Sequence, residues 1–213
     1  RERANTLKVI KAKHLAPFFY NNITNYIFVN HLENDSDFKH DYPNFYDKLI
    51  VQKEKLEKRY QYNKKIHYWQ WVFLRNYDLF NTDIPRIFVP CKERISNKNY
   101  FRFAFVPSGI FPTQDVTAIF PKAETKESIY YILAFLNNHR VFVWLKNKGI
   151  VKGNIVEFSE KPISSIPFRK IDWADENDIL IHDKIVNHTK QYLKEKDVSI
   201  LEEINYLFDK ILK

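Results

Sequence analysis

The chain has 213 residues, 45% of them apolar and 16% aromatic, with a formal net charge of +8, so it can bury a core as one large domain or two small ones. Its one cysteine, Cys91, excludes an internal disulfide, suits a reducing cytoplasm and reads as a buried structural thiol. The longest apolar run, 129–136, is far short of the ~20 residues of a membrane span.

Residues 1–40 read as a lead-in, basic to Lys13, aromatic and β-like over 18–29, and polar over 33–41. A spacer helix is expected within 41–67. Pro43 suits its first helical position, and Phe45, Leu49, Leu56 and Tyr60 repeat at helical spacing, with Lys53, Lys55, Lys58 and Arg59 on other faces. Residues 68–170 read as the core of the fold. An aromatic strand over 68–73 places Trp69 and Trp71 on one face, where they are read as structural. Strands are expected over 84–89, 100–106 and 115–120, the last closed by Pro121. A helix capped by Thr125 buries Ile129, Ile132, Leu133 and Leu136 and runs on through Trp144. A second basic loop, 146–154, leads to a short strand over 155–158. Residues 171–213 form a helical pair. Its first helix turns Leu180, Ile185, Thr189 and Tyr192 inward, and its second opens on a capping box from Ser199 to Glu202. The predicted class is α/β (α+β): a small, mostly antiparallel sheet flanked by helices, with a C-terminal helical pair.

Charge is distributed unevenly. The last 43 residues carry ten acids and six bases, which leaves +12 on the first 170. Between Ile84 and Val106 stand five bases, Arg86, Lys92, Arg94, Lys98 and Arg102, against one acid, Glu93. Phe88, Phe101, Phe103 and Phe105 are threaded among them. A cationic loop on aromatic strands suits a polyanion, because bound cations release counterions and Arg or Asn also pair with base edges. By side-chain chemistry, Arg94, Asn97, Asn99 and Arg102 are candidates for base edges. Lys92, Lys98, Lys146, Lys148 and Lys152 are candidates for phosphate. Arg75 and Arg86 flank the aromatic run and would either stack on a tryptophan or add DNA contacts.

The chain has three glycines, Gly109, Gly149 and Gly153, so no glycine-rich nucleotide loop is present and no cofactor site is expected in it. The seven histidines give no ligand pair at short spacing, and no metal site is expected. The chain shows no signal peptide and begins without methionine, so it reads as a fragment or a processed piece.

Several segments occur in an order that resembles the TaqI-like C-terminal specificity domain of adenine-specific DNA methyltransferases, also found in fused restriction–modification enzymes. They are PFFYNNITNY (17–26), YPNFYDKLIVQKEKLEKR (42–59), YWQWVFLRN (68–76) and IPRIFVPCKERISNKNYFRFAFVPSG (84–109). DVTAIFPK (115–122), AFLNN (134–138), VEFSEKPISSIPF (156–168) and EEINYLFDKIL (202–212) complete the set. The resemblance implies a target-recognition role on double-stranded DNA. It also implies an N-terminal methyltransferase domain in the same parent chain, which binds S-adenosylmethionine and carries an Asn/Asp-Pro-Pro-Tyr/Phe motif. No Pro-Pro pair occurs here, so no catalytic residue is expected in this chain. A cytoplasmic location and no membrane partner are expected. The alternatives are a DNA specificity subunit of a multisubunit restriction system and a metal-dependent nuclease built on Asp115, Glu124 and Lys126. Against the first stands the lack of an internal repeat, and against the second Pro121, which ends the strand before Glu124.

Overall fold

The computed structural model describes residues 2–72 and 76–212. In chain order the described strands and α-helices begin with β1 (Thr6–Ile10), β2 (Thr24–Ile27), α1 (Asp35–Asp41), α2 (Pro43–Ile50), α3 (Lys53–Glu57) and α4 (Tyr77–Phe80). Then come β3 (Arg86–Pro90), β4 (Lys92–Arg94), β5 (Ala104–Val106), β6 (Ile110–Pro112), β7 (Val116–Ile119), α5 (Ile129–Leu136) and α6 (His139–Lys148). The chain continues with β8 (Ile150–Lys152), β9 (Ile155–Glu157), α7 (Glu160–Ser164), α8 (Glu176–Glu195) and α9 (Val198–Ile211). The fold is mixed α/β, with small antiparallel sheets flanked by helices and α8 and α9 as a C-terminal pair. The expected single sheet is realised as three sheets of three strands, ordered β2-β1-β6, β5-β3-β7 and β4-β9-β8. No described helix is long and apolar enough to cross a membrane.

Two compact units form, each discontinuous in sequence. The first comprises Arg1–Val9, Thr24–Thr82 and Gly109–Phe111. Its apolar core gathers Val29, Phe38, Tyr42, Phe45, Tyr68 and Trp69, with Phe38 stacked on Trp69 at a centroid distance of 4.8 Å. The expected spacer helix is interrupted. A turn from Leu49 to Gln52, closed by a 2.9 Å backbone bond, separates α2 from α3. Ile50 and Val51 are β-branched and Val51 is exposed, so neither propensity nor burial carries the helix through. Glu2 supplies the cap that α2 lacks in its own flank. Its carboxylate accepts from the backbone N–H groups of Asn44 and Phe45 at 2.9 and 3.3 Å, and from the Asn44 side chain at 2.7 Å.

The expected strand over 68–73 is a turn in its described part, 68–72. Side chains bind its backbone: Arg59 donates to the Gln70 carbonyl, and Asn30 accepts from the Trp71 N–H at 2.9 Å and donates to the Trp71 carbonyl at 3.4 Å. Trp69 is buried, and the Trp71 indole donates to the Ile27 carbonyl at 2.8 Å. Both tryptophans are structural in this unit.

The second unit comprises Ile10–Ile23, Asp83–Ser108 and Pro112–Lys213. Strand β3 is buried along its length and lies between β5 and β7, with Ile87 opposite Phe105 on one side and Ile119 on the other. Of the strand expected over 100–106, only β5 pairs in the ladder; Phe101 and Phe103 instead pack edge-on against Phe158. The helix expected from Thr125 through Trp144 starts later and divides. Ser128 caps α5 and Asn138 caps α6. Asn137, between them, donates to the carbonyls of Phe103 and Leu133, tying the break to the core. In α8 the expected inward residues Ile185, Thr189 and Tyr192 are buried, whereas Leu180 is exposed. Helix α9 starts at an Asp197 cap rather than the Ser199 box, and it buries Ile200, Ile204 and Leu207. Arg169 joins this end to the core through two bonds, of 2.8 and 2.9 Å, to the buried Asp178 carboxylate.

Candidate nucleic-acid interface

The two basic stretches of the sequence meet in the β4-β9-β8 sheet of the second unit. Strand β9 lies between them, with Arg94 and Lys152 both opposite Ile155, and Lys92 and Ile150 both opposite Glu157. Strand alternation turns Glu93 and Val156 to the buried side, so Lys92, Arg94 and Lys152 share the other face. The β8–β9 turn has only two residues, Gly153 and Asn154, and Gly153 at φ +58° is in the left-handed region this turn needs at its first central position.

Glu157 lies among the cations of that face, 3.7 Å from the Lys92 ammonium and 3.3 Å from that of Lys152. Exposed pairs of this kind contribute about 0–1 kcal/mol, so they orient the lysines without withholding them from a phosphate. The Arg94 side chain is exposed and makes no ion pair or hydrogen bond among the described residues. The loop beyond β4 bends at Asn97, whose φ of +59° is tolerated because Asn adopts the left-handed region more readily than most residues. Asn97 and Asn99 are both exposed on this loop, with Tyr100 beside them.

Two residues assigned to DNA by side-chain chemistry are engaged elsewhere. Glu93, 2% exposed, accepts from the Lys98 ammonium at 2.6 Å and from Nε of Arg102 at 2.7 Å. Nη1 of Arg102 also donates to the Ala12 carbonyl at 3.0 Å. A carboxylate this deep needs counter-charge, and these two side chains provide it. The reading of Arg102 as a base reader and Lys98 as a phosphate contact is corrected accordingly: both act first as clamps on Glu93. Arg86 is also corrected. It is fully buried, its guanidinium donates to the Ile84 carbonyl at 3.1 and 2.6 Å, and it lies 5.0 Å from the Phe120 ring centre, so it is not open to DNA. Burial lowers its pKa. Arg75 lies outside the described residues.

Lys146 and Lys148 are exposed in the last turn of α6, where the helix dipole favours cations, and neither is ion-paired among the described residues. Gly149 follows them directly. A Cβ there would lie 2.4 Å from the Leu145 carbonyl oxygen, so only glycine lets α6 pass into β8. The neutralising acids Glu93 and Glu157 are the functional residues that sequence reasoning misses. The signal for Glu93 is its place as the single acid of a basic run.

The residues of the nuclease alternative do not converge. Asp115 accepts from Thr113 at a turn, and Glu124 pairs with Lys122 at the surface, 3.9 Å away. Among the described residues no group of three His, Cys, Asp or Glu is placed to hold a metal. The glycines serve backbone geometry: Gly109 and Gly153 stand in turns and Gly149 closes a helix, so none of the three opens a loop onto a helix N-terminus.

The fold and this face together define a mixed α/β unit with an open, cationic β-surface. The sequence matches no family model. It is 50% identical over 210 residues to the Type II methyltransferase M.HindII of Haemophilus influenzae, covering 99% of this chain and 40% of that protein. It is 49% identical to M.HincII of the same species, over 99% of this chain and 42% of that protein. Against M.MjaIV of Methanocaldococcus jannaschii the identity is 31%, over 93% of this chain and 65% of that protein. The chain thus spans about two fifths of the length of the two Haemophilus relatives. In fold it is similar to the Type IIL restriction-modification enzyme MmeI, solved in complex with DNA, with a TM-score of 0.62, 11% identity, and 99% of this chain on 28% of that one.

Proposed function

We propose that this chain is the sequence-recognition part of an adenine-specific DNA methyltransferase of a restriction–modification system. It positions double-stranded DNA for base flipping and methyl transfer by an N-terminal methyltransferase domain of the same parent chain, which uses S-adenosylmethionine in the cytoplasm. The observation that carries this reading is the outward face of the β4-β9-β8 sheet, where Lys92, Arg94 and Lys152, from segments more than 50 residues apart, come side by side. The relatives' names and the partial span of the match support it.

Flipping a base costs a few kcal/mol, which contacts to the rest of the duplex must offset. Phosphate contacts set register and base-edge contacts select sequence. In this reading Lys92, Lys146, Lys148 and Lys152 hold phosphates, while Arg94, Asn97 and Asn99 reach base edges. The test is duplex binding by the intact protein over a salt series. Specific binding whose affinity falls steeply with salt, and whose sequence preference shifts on Arg94→Ala, is expected. Binding that neither Arg94→Ala nor Lys152→Ala changes would overturn the reading.

A further inference from the structure

The second unit carries a groove of about 530 Å³ that the β4-β9-β8 face does not use. Its walls include the rings of Phe19, Tyr20 and Tyr130, and its rim carries Lys190, Lys194 and Lys196. Among the described residues no acid lines it. The carboxylates nearest in sequence are already engaged: Glu195 accepts from Gln191 at 3.0 Å, and Asp197 caps α9 by accepting from the Ser199 N–H at 3.0 Å.

Two of the three ammonium groups are positioned over rings. Lys196 lies 3.7 Å from the centre of the Phe19 ring and Lys190 5.2 Å from that of Tyr130. None of the three makes an ion pair among the described residues. Lys196 adopts a left-handed conformation, φ +61°, at the end of α8, and partial burial lowers its pKa. An incoming anion would relieve that cost. Phe18, next to the groove wall, is held at φ +70° by backbone bonds to Phe103 and Phe105. Strain of this size in a bulky residue persists only where the surroundings enforce it, and it collects at functional sites.

A duplex presents phosphates but keeps its base faces stacked. Aromatic walls combined with a cationic rim suit a strand whose bases are free to stack. We infer that this groove is a binding site for an unpaired stretch of DNA, with phosphates on Lys190, Lys194 and Lys196 and bases against Phe19, Tyr20 and Tyr130. The inference takes from the proposed function only the premise that the partner is DNA, and it can be tested separately.

The experiment measures binding of the intact protein to a short oligodeoxythymidylate and to duplex DNA, by fluorescence anisotropy over a salt series. Lys190→Glu combined with Lys194→Glu changes two exposed side chains and should weaken single-strand binding at least tenfold. It should also reduce the salt slope by about 0.7 for each phosphate no longer held. Tyr130→Ala should weaken single-strand binding while leaving that slope unchanged. Arg94→Ala with Lys152→Ala should weaken duplex binding and spare the oligodeoxythymidylate. Single-strand binding that is absent, or indifferent to the groove variants, overturns the groove while leaving the duplex reading intact. Duplex binding that is absent, or unchanged by Arg94→Ala with Lys152→Ala, while the groove effects are preserved, overturns the duplex reading and leaves the groove standing.

Discussion

Nε of Arg102 donates a 2.7 Å bond to the Glu93 carboxylate, and that carboxylate is only 2% exposed. The bond changes the role of the arginine. Along the sequence Arg102 resembles its basic neighbours, but its partner lies beneath the sheet rather than beyond it. Arg102→Ala is therefore expected to lower the unfolding free energy by about 2 kcal/mol, allowing for the arginine's partial exposure. Urea denaturation reads this directly. An unchanged midpoint with altered base preference would return Arg102 to the base-reading set.

Arg94 should behave in the opposite way, since it is exposed and unpaired among the described residues. Arg94→Ala should leave the unfolding free energy from urea denaturation within about 0.5 kcal/mol of the parent. It should cost about 1–3 kcal/mol of discrimination at one base pair. Binding to a library of duplexes randomised one position at a time would locate that pair.

Lys148, in the last turn of α6, is assigned to phosphate, which carries no sequence information. Lys148→Ala should weaken binding to all duplexes alike and reduce the salt slope by about 0.9. A loss confined to one sequence would contradict the assignment.

Gly149→Ala places a methyl group 2.4 Å from the Leu145 carbonyl oxygen, a backbone atom that cannot rotate away. A loss of about 1–3 kcal/mol is expected, together with a disturbed β8. Because Lys152 is on that strand, duplex affinity should fall as well. Thermal unfolding and the binding assay together check both effects.

Glu2 links stability to pH. Burial works to raise its pKa, but hydrogen bonds from the Asn44 side chain and from the Phe45 and Asn44 N–H groups outweigh it, so the carboxyl titrates below its ordinary value. A depressed carboxyl stabilises the fold above its unfolded pKa of about 4.3, and that contribution fades as pH falls through the folded value. Glu2→Gln should thus be less stable than the parent at neutral pH, with the gap closing in acid. A gap that widened in acid would contradict the cap.

The helical pair is legible in the sequence because Ile185, Thr189, Ile200 and Ile204 follow one helical period and are buried where that period puts them. The run over 68–72 reads as a strand because aromatic density has the same appearance in a strand and in a turn. Its backbone partners are the Arg59 and Asn30 side chains rather than another strand. The helix break at Asn137–Asn138 escapes sequence reasoning for a similar reason: the Phe103 carbonyl that rewards it is 34 positions away.

Composition and periodicity are local properties, so the charge asymmetry, the two basic stretches, the mixed α/β class and the C-terminal pair can all be read along the chain. Which cations remain available is settled by packing. Strand β9 joins the two stretches on one face, while Glu93 draws Lys98 and Arg102 away from it. The physical reason is that a positive side chain is written into the sequence, but its counter-charge is set by register and burial between segments far apart along the chain.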